Sequence, residues 1–489
     1  MSTYFAHVIG GKEVDSLDGA RFVTVNPWTR EAWAEVALGD RADAEAAVTA
    51  ARTAFDDGPW PRLGYGERQR LLHRLADLME ANADELAAAD SHDMGKPLAQ
   101  CHHDVARAAL NFRFFADHAK MATAEVLPMD SGHHAYTRFD PAGVVVAIAP
   151  WNFPLMLETW KVAPALAWGN TVVLKPAEDT PTSATILARL ATEAGLPDGV
   201  FNVVHGYGHS VGAALTGDPR VDRITFTGET GTGKTISAAA AQNLTPVSLE
   251  LGGKNCNIVF ADAELDNAVH WSIQSIFGNA GQICLSGSRL FVQRPILDEF
   301  VKRFVAAAEA MTFGDPLDPA TEFGPLASEQ HFEKVKGYVE SVEQYGGRML
   351  TGGLGDGWFV KPTVLVDMPL DSPHVQEEIF GPVVVIHPFD SEDEVVDLAN
   401  ESVYGLDAQV FTEGLHTAHR VSARLEVGTV WVNCFFIRDL RAPFGGVGAS
   451  GVGREGGNFS REFFTEPKAV IMQITGKPSC TGATSCWLP

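Results

Sequence analysis

The chain has 489 residues, 45% hydrophobic and 20% charged, which is ordinary globular material with enough apolar mass for two or three domains. Acidic residues outnumber basic ones 62 to 37, a formal charge of -25, so a nucleic-acid backbone is repelled over most of the surface and small molecules or other proteins are the expected partners. The N-terminus lacks a basic region followed by an apolar core, and the most apolar short stretch, residues 142–150, is about half of the ~20 residues a spanning helix needs; no membrane association and a cytoplasmic location are expected.

Six cysteines (Cys101, Cys256, Cys284, Cys434, Cys480 and Cys486) without CxxC or Cys/His spacing read as reduced thiols, neither a disulfide framework nor a metal site. The terminal Cys-Trp-Leu-Pro has the outline of a prenylation signal, but it ends in Pro and no polybasic stretch precedes it, so it reads as a loose tail.

In chain order, residues 41–94 alternate Ala/Leu-rich helical periods with charge and predict an N-terminal helical pair, with Leu71, Leu72, Leu75, Leu78 and Met79 on one face of the helical stretch 67–90. From Gly143 the pattern changes to β-branched runs between helical stretches: 143–149, 171–175, 200–204, 222–227 and 246–251. Such alternation predicts βαβ units and a parallel sheet covered on both faces. A second series (256–260, 288–293, 363–368, 382–389 and 427–433) predicts a second α/β domain. The polar segment near 120–138 and the strand-like run after Glu462 read as arms for another subunit or as edge strands of the same sheet.

Gly228-Glu-Thr-Gly-Thr-Gly-Lys-Thr235 fits the phosphate-cradling pattern G-x-x-x-x-G-K-[ST] and follows a predicted strand. A nucleoside triphosphatase would also need a magnesium-binding Asp, for which Asp262 is the candidate, but the intervening Glu250-Leu-Gly-Gly-Lys254 has no role in such an enzyme. More of the sequence is joined by another reading. Pro150-Trp-Asn-Phe-Pro154, Lys175-Pro-Ala-Glu178, Phe226-Thr-Gly-Glu-Thr230 and Glu250-Leu-Gly-Gly-Lys254 each stand just after a predicted strand, where open parallel sheets bind ligands. Gly281-Gln-Ile-Cys284, Glu377-Glu-Ile-Phe-Gly-Pro382 and Pro443-Phe-Gly-Gly446 with Ser450-Gly-Val-Gly-Arg-Glu455 after it complete the series.

Over residues 20–472 these motifs, in this order, resemble the NAD(P)-dependent aldehyde dehydrogenase superfamily. The resemblance implies an α/β fold with a Rossmann-type parallel-sheet cofactor domain (1–119 and 141–250), an α/β catalytic domain (251–462) and a small β oligomerisation arm (120–140 and 463–489), assembled as a homodimer or homotetramer. It makes the 228–235 turn the part facing a dinucleotide pyrophosphate.

Chemistry agrees with the roles implied. A thiol of ordinary pKa ~8.5 is only a few per cent thiolate at neutral pH yet intrinsically nucleophilic, which suits addition to an aldehyde. Cys284, in a loop between Gly281 and Gly287, is the candidate, whereas Cys256 and Cys434 lie in strand-like runs and read as small buried hydrophobes. The Asn152 side-chain amide and the Cys284 backbone N–H are the implied donors to the oxyanion, and Glu250 the implied base that activates water against a thioester. Glu250 favours hydrolysis to the free acid over transfer to coenzyme A. Lys175, counted with the catalytic set as well, and Glu178 match the residues at the adenosine ribose, and a carboxylate there favours NAD over NADP.

The remaining implied cofactor residues are Pro150, Trp151, Asn152, Gly208, Gly212, Phe226, Thr227, Gly228, Glu229, Leu251, Glu378 and Phe380. Glu229 departs from the family, many members having Ser there. On the substrate side the resemblance points to Arg107, Phe153, Leu157, Trp160, Arg438, Arg441 and Phe444. The arginines suit a carboxylate, and the segment 432–444 resembles that of the 2-hydroxymuconic and 5-carboxymethyl-2-hydroxymuconic semialdehyde dehydrogenases. Three alternatives stand beside this. The arginines form surface ion pairs, for example Arg438 with Asp439; or Phe153, Trp160 and Phe444 box a cationic aldehyde such as betaine aldehyde; or the enzyme takes a broad range of aldehydes.

Overall fold

A computed structural model describes residues 3–129 and 132–474. Cys480, Cys486 and the C-terminal tail lie outside the described residues. Of the first series, strands Val144–Ile148, Thr171–Lys175, Phe201–Val203, Arg223–Thr227 and Val247–Glu250 form the parallel centre of an eight-stranded sheet. His7–Ile9 and Lys12–Val14 extend one edge antiparallel, and Gly451–Val452 the other. Val144, Val146 and Ile148 pack into one apolar core while Val145 and Ala147 pack into a second on the opposite face, as a two-sided parallel sheet requires.

Register aligns the strand ends. Ile148 lies opposite both Lys175 and Phe226, and Thr227 opposite Glu250. From the central strand Val144–Ile148 the chain winds first toward Thr171–Lys175 and Phe201–Val203, then returns on the other side with Arg223–Thr227 and Val247–Glu250. This reversal opens a crevice at the carboxyl ends of the strands, with the segments after Ile148, Thr227 and Glu250 on its rim.

The second sheet has seven strands in the order Arg348–Leu354, Val360–Val366, Val383–Phe389, Arg289–Gln293, Cys256–Val259, Asp407–Phe411 and Thr429–Val432, all parallel except the first pair. A third sheet holds Val126–Leu127, His133–Pro141 and Thr465–Gln473, with Thr465 opposite Pro141 and Gln473 opposite His133. The two expected arm segments therefore pair with each other in a sheet of their own, not as edges of the first. Val126, Leu127, Ile471 and Met472 are exposed on it.

The helical expectation over 67–90 is corrected. Asn82 closes the helix Tyr65–Ala81 and opens Ala83–Met94, so the apolar face ends at Met79. Pro154–Ala167 is buried nearly all round, Pro154 opening it at a position where its missing N–H costs nothing. Among the described residues no helix is long and apolar enough to cross a membrane.

Candidate active site

Cys284 follows a backbone bend in which Asn279 (φ 49°), Ala280 (φ 56°) and Gly281 (φ 70°) are all left-handed. A Cβ on residue 281 would lie 2.2 Å from the Gly381 carbonyl oxygen, so only glycine lets the two loops touch. Side chains lock the bend. Asn279 Nδ2 donates to the Asn152 carbonyl at 2.9 Å, Asn152 Nδ2 to the Gln282 carbonyl at 2.9 Å, and Asn255 Nδ2 to the Cys284 carbonyl at 2.6 Å. One Asn152 N–H is thus committed to orientation, leaving the second for a ligand beside Cys284.

Cys284, Thr227 and Leu251 form the wall between two spaces. On one side lies a cleft of about 500 Å³ bounded by Pro150, Trp151, Asn152, Gly228, Glu229, Glu378 and Phe380. The other side is a narrow cavity of about 30 Å³ that Glu250, Phe153, Leu157, Arg438 and Phe444 enclose. Burial, then the carboxylates of Glu378, Asp407 and Glu250, push the Cys284 thiol up, with Arg438 opposing. The ordinary thiol of the sequence argument is therefore corrected: burial among carboxylates disfavours the Cys284 thiolate.

Glu250 lines the same narrow cavity as Cys284. It is 4% exposed and neither carboxylate oxygen has a hydrogen-bond partner. Burial and the neighbouring Glu455 carboxylate raise its pKa well above the ordinary value, while Lys161, Arg454 and Arg438 pull it down. Behind it Lys161 Nζ donates to Glu455 Oε1 at 2.9 Å and to Thr225 Oγ1 at 3.1 Å, a buried charge pair. Glu455 closes the motif Ser450-Gly-Val-Gly-Arg-Glu455 without a role assigned to it there, and Lys161 stands in no motif.

The large cleft suits a dinucleotide. The helix Thr230–Ala241 opens at Glu229 without a side-chain cap, leaving first-turn N–H groups for an anion. A Cβ on Gly208 would meet nothing within 4 Å, and one on Gly212 would come 3.7 Å from Lys175 Cδ, so this stretch lies open beside Lys175. Lys175 Nζ donates to Glu178 at 3.2 Å and to the Pro176 carbonyl at 2.9 Å. Glu378 Oε1 accepts the Gly253 N–H at 2.9 Å, and burial pushes its carboxyl up to about 7 against that bond and the cations Lys334 and Lys254. His331 Nε2 lies 2.7 Å from the Phe380 carbonyl, and Trp151 packs on both rings with centroids 4.9 and 5.3 Å away.

A sequence profile described as "Aldehyde dehydrogenase family" matches residues 14–470. The chain belongs to the aldehyde dehydrogenase family. It is similar to "2-hydroxymuconic semialdehyde dehydrogenase" of Pseudomonas sp. (strain CF600), 48% identical over 96% of this chain and 99% of that one. The Pseudomonas putida protein of the same description is 46% identical over the same shares. Among solved structures, the "NAD+ complex structure of aldehyde dehydrogenase from bacillus cereus" superimposes with a TM-score of 0.95 at 42% identity, covering 96% of this chain and 97% of that one. The protein is accordingly an oxidoreductase acting on aldehydes.

Most expected aldehyde dehydrogenase site residues stand around the two spaces; Arg107 and Trp160 line a neighbouring one, and six others stand apart. Phe226 is buried beneath the cleft: its ring lies where a Cβ on Gly228 would approach to 2.5 Å. Arg441 is 77% exposed at its side chain and forks onto Asp439 at 2.6 Å, so the surface ion pair belongs to Arg441 and not to Arg438. Lys175, Glu178, Gly208 and Gly212 stand together beside the cleft but are not part of its wall around Cys284. The triphosphatase reading has no support: Lys234 is exposed, Thr235 Oγ1 donates to the Gly231 carbonyl in its own helix, and Asp262 accepts from Thr412.

Ser328, Gln330, His331 and Lys334 also line the cleft. They come from the helix start at 328–334, whose sequence follows no strand. Met156, Leu157, Phe436 and Arg438 are shared between the narrow cavity and a neighbouring space of about 50 Å³ that reaches Arg107, Asn111 and Trp160. Together the two spaces run from Arg107 to Cys284.

Proposed function

We propose that the protein oxidises a carboxylate-bearing semialdehyde, of the 2-hydroxymuconic semialdehyde kind, to the free acid with NAD. One observation carries the substrate class. Among the described residues neither Arg107 nor Arg438 has a hydrogen-bonded or ion-paired carboxylate, though both line the path to Cys284. Burial, then Arg107, push the Arg438 guanidinium down to about 10 while Glu455 and Glu250 oppose the shift without bonding to it, so the two cations share this space with no hydrogen-bonded anion. A substrate carboxylate supplies that anion by bidentate hydrogen bonding.

The rival cationic aldehyde fares worse on the same residues. The Arg438 guanidinium already lies 4.8 Å from the Trp160 ring centroid and 3.9 Å from that of Phe444, so the proposed aromatic box is occupied by a positive charge.

In the reaction, Cys284 Sγ adds to the aldehyde carbon as its proton leaves toward Glu250, and the free N–H of Asn152 with the Cys284 N–H holds the oxyanion. Bound NAD supplies the acceptor for the hydride shed as the adduct becomes a thioester on Cys284. Glu250 then releases the thiol proton to solvent and, ionised again, takes a proton from the water that attacks the thioester. Glu178 would accept from the ribose 2′-hydroxyl and repel a 2′-phosphate, which favours NAD over NADP. Glu378 would hold the second ribose, and Thr227, Gly228 and Glu229 would flank the pyrophosphate. Assembly as a dimer or tetramer through the sheet of 126–141 and 465–473, and work in the reducing cytoplasm where Cys284 stays a thiol, complete the reading.

Arg438→Met tests the substrate class. It should lower kcat/KM for a carboxylated semialdehyde by roughly 30-fold or more, the ~2 kcal/mol of a truncated charge partner, and change propanal by no more than about twofold. Equal losses on both aldehydes would refute the assignment.

A further inference from the structure

We propose that Lys96 sets the preference for an anionic aldehyde by holding Asp104 away from Arg107; this rests on the carboxylate reading above. The helix Leu98–Met121 carries Asp104, Arg107 and Asn111 on one face, three and four residues apart. Asn111 Nδ2 donates to the Met156 carbonyl at 3.3 Å and to Thr159 Oγ1 at 3.1 Å, pinning this face against the helix Pro154–Ala167. Arg107 is thereby presented to the space it shares with Trp160 and Arg438.

Asp104, one turn away, is spaced to be the counter-ion of Arg107. It is not. Its Oδ2 instead accepts from Lys96 Nζ, with side-chain exposures of 2% for Lys96 and 11% for Asp104. The same ammonium lies 3.8 Å from the ring centroid of Phe153, which walls the Cys284 cavity. Lys96 is therefore wedged between the carboxylate of one helix and the aromatic wall of the substrate path, and both contacts hold it there.

The consequence is competitive. A carboxylate tethered one turn from Arg107 would act at a very high effective concentration and displace a dissolved substrate carboxylate. With Asp104 engaged by Lys96, Arg107 and Arg438 keep their free donors for the ligand. Lys96 touches no reacting atom in this account; it is a positioning residue whose effect is confined to charged substrates.

The test compares 4-oxobutanoate with propanal in the full-length enzyme. Lys96→Met should raise KM for 4-oxobutanoate about tenfold or more and leave KM and kcat for propanal within about twofold. Adding Asp104→Asn to Lys96→Met should restore the wild-type preference, because the competing carboxylate is gone. Equal losses on both aldehydes in Lys96→Met, or no recovery in the double variant, overturns the proposal. Lys96→Met leaves a buried carboxylate unpaired and risks misfolding. In that event Asp104→Asn and the charge-neutral double variant decide: both must keep the preference for 4-oxobutanoate, and its loss in either refutes the role. The two readings fail separately. An Arg438→Met enzyme without an acid-selective loss removes the anionic substrate itself, whereas an acid-selective loss there with an unaltered Lys96→Met enzyme removes only Lys96.

Discussion

Cys284→Ala abolishes NADH formation from any aldehyde, a loss on the order of 10⁵-fold or more, while NAD affinity stays near that of the wild type. The size follows from covalency. Asn152 and the backbone donors stabilise an oxyanion only after a nucleophile has added, so without Sγ they have nothing to hold. Cofactor affinity survives because the cleft depends on Glu378, Gly228 and the uncapped start of Thr230–Ala241, none of which leans on the thiol. Turnover by the alanine variant measured at 340 nm would remove Cys284 as nucleophile, and a large loss of NAD affinity by fluorescence titration would show that its role is architectural.

Glu250→Gln should lower steady-state turnover about 10²- to 10⁴-fold, the span of a lost general base, and leave an acyl group on Cys284 that intact-protein mass spectrometry detects. The isosteric amide keeps the packing of a side chain against which Gly445 closes so tightly that a Cβ there would lie 2.5 Å from Glu250 Oε1. Only the basic oxygen is lost. The wild-type pH profile carries the same information with a definite sign. Because burial and Glu455 raise the Glu250 pKa, the base is protonated and deacylation is slow on the acid side, and the rate climbs as pH rises through that raised value. Deacylation that stays flat across the acid range, or a Gln variant with full turnover and no adduct, contradicts this role.

The strand ends were legible because their chemistry is local. Asn152, Glu178, Gly228 and Glu250 each follow a β-branched run, and a parallel sheet brings such ends together whatever lies between. The strand Asp407–Phe411 was not, since its inward side chains include Asp407 and Gln409. Their polar groups pair with each other and with a distant helix: Gln409 Nε2 donates to Asp407 Oδ2, and Ser275 Oγ donates to Gln409 Oε1 at 3.0 Å. A hydrophobic pattern is blind to that kind of burial.

The arginine loop fails for another reason. Arg438 and Arg441 sit three apart in an irregular segment without a period, so spacing gives no facing. Left-handed turns at Asn433 (φ 55°) and Phe436 (φ 60°) decide it, turning Arg438 onto Trp160, while Asp439 accepts both the Arg441 backbone N–H at 2.9 Å and its guanidinium. Lys96 was equally invisible, because its importance lies in which carboxylate it removes from Arg107.

The central claim is that two guanidiniums with no hydrogen-bonded carboxylate among the described residues read a carboxylate on the aldehyde before Cys284 attacks. It is tested most directly by kcat/KM of the wild-type enzyme for a carboxylated semialdehyde against the methyl ester of the same compound, which keeps the carbon skeleton and removes only the charge. The account predicts a preference for the acid of about 10²-fold. An ester turned over as well as the acid, or better, would contradict it.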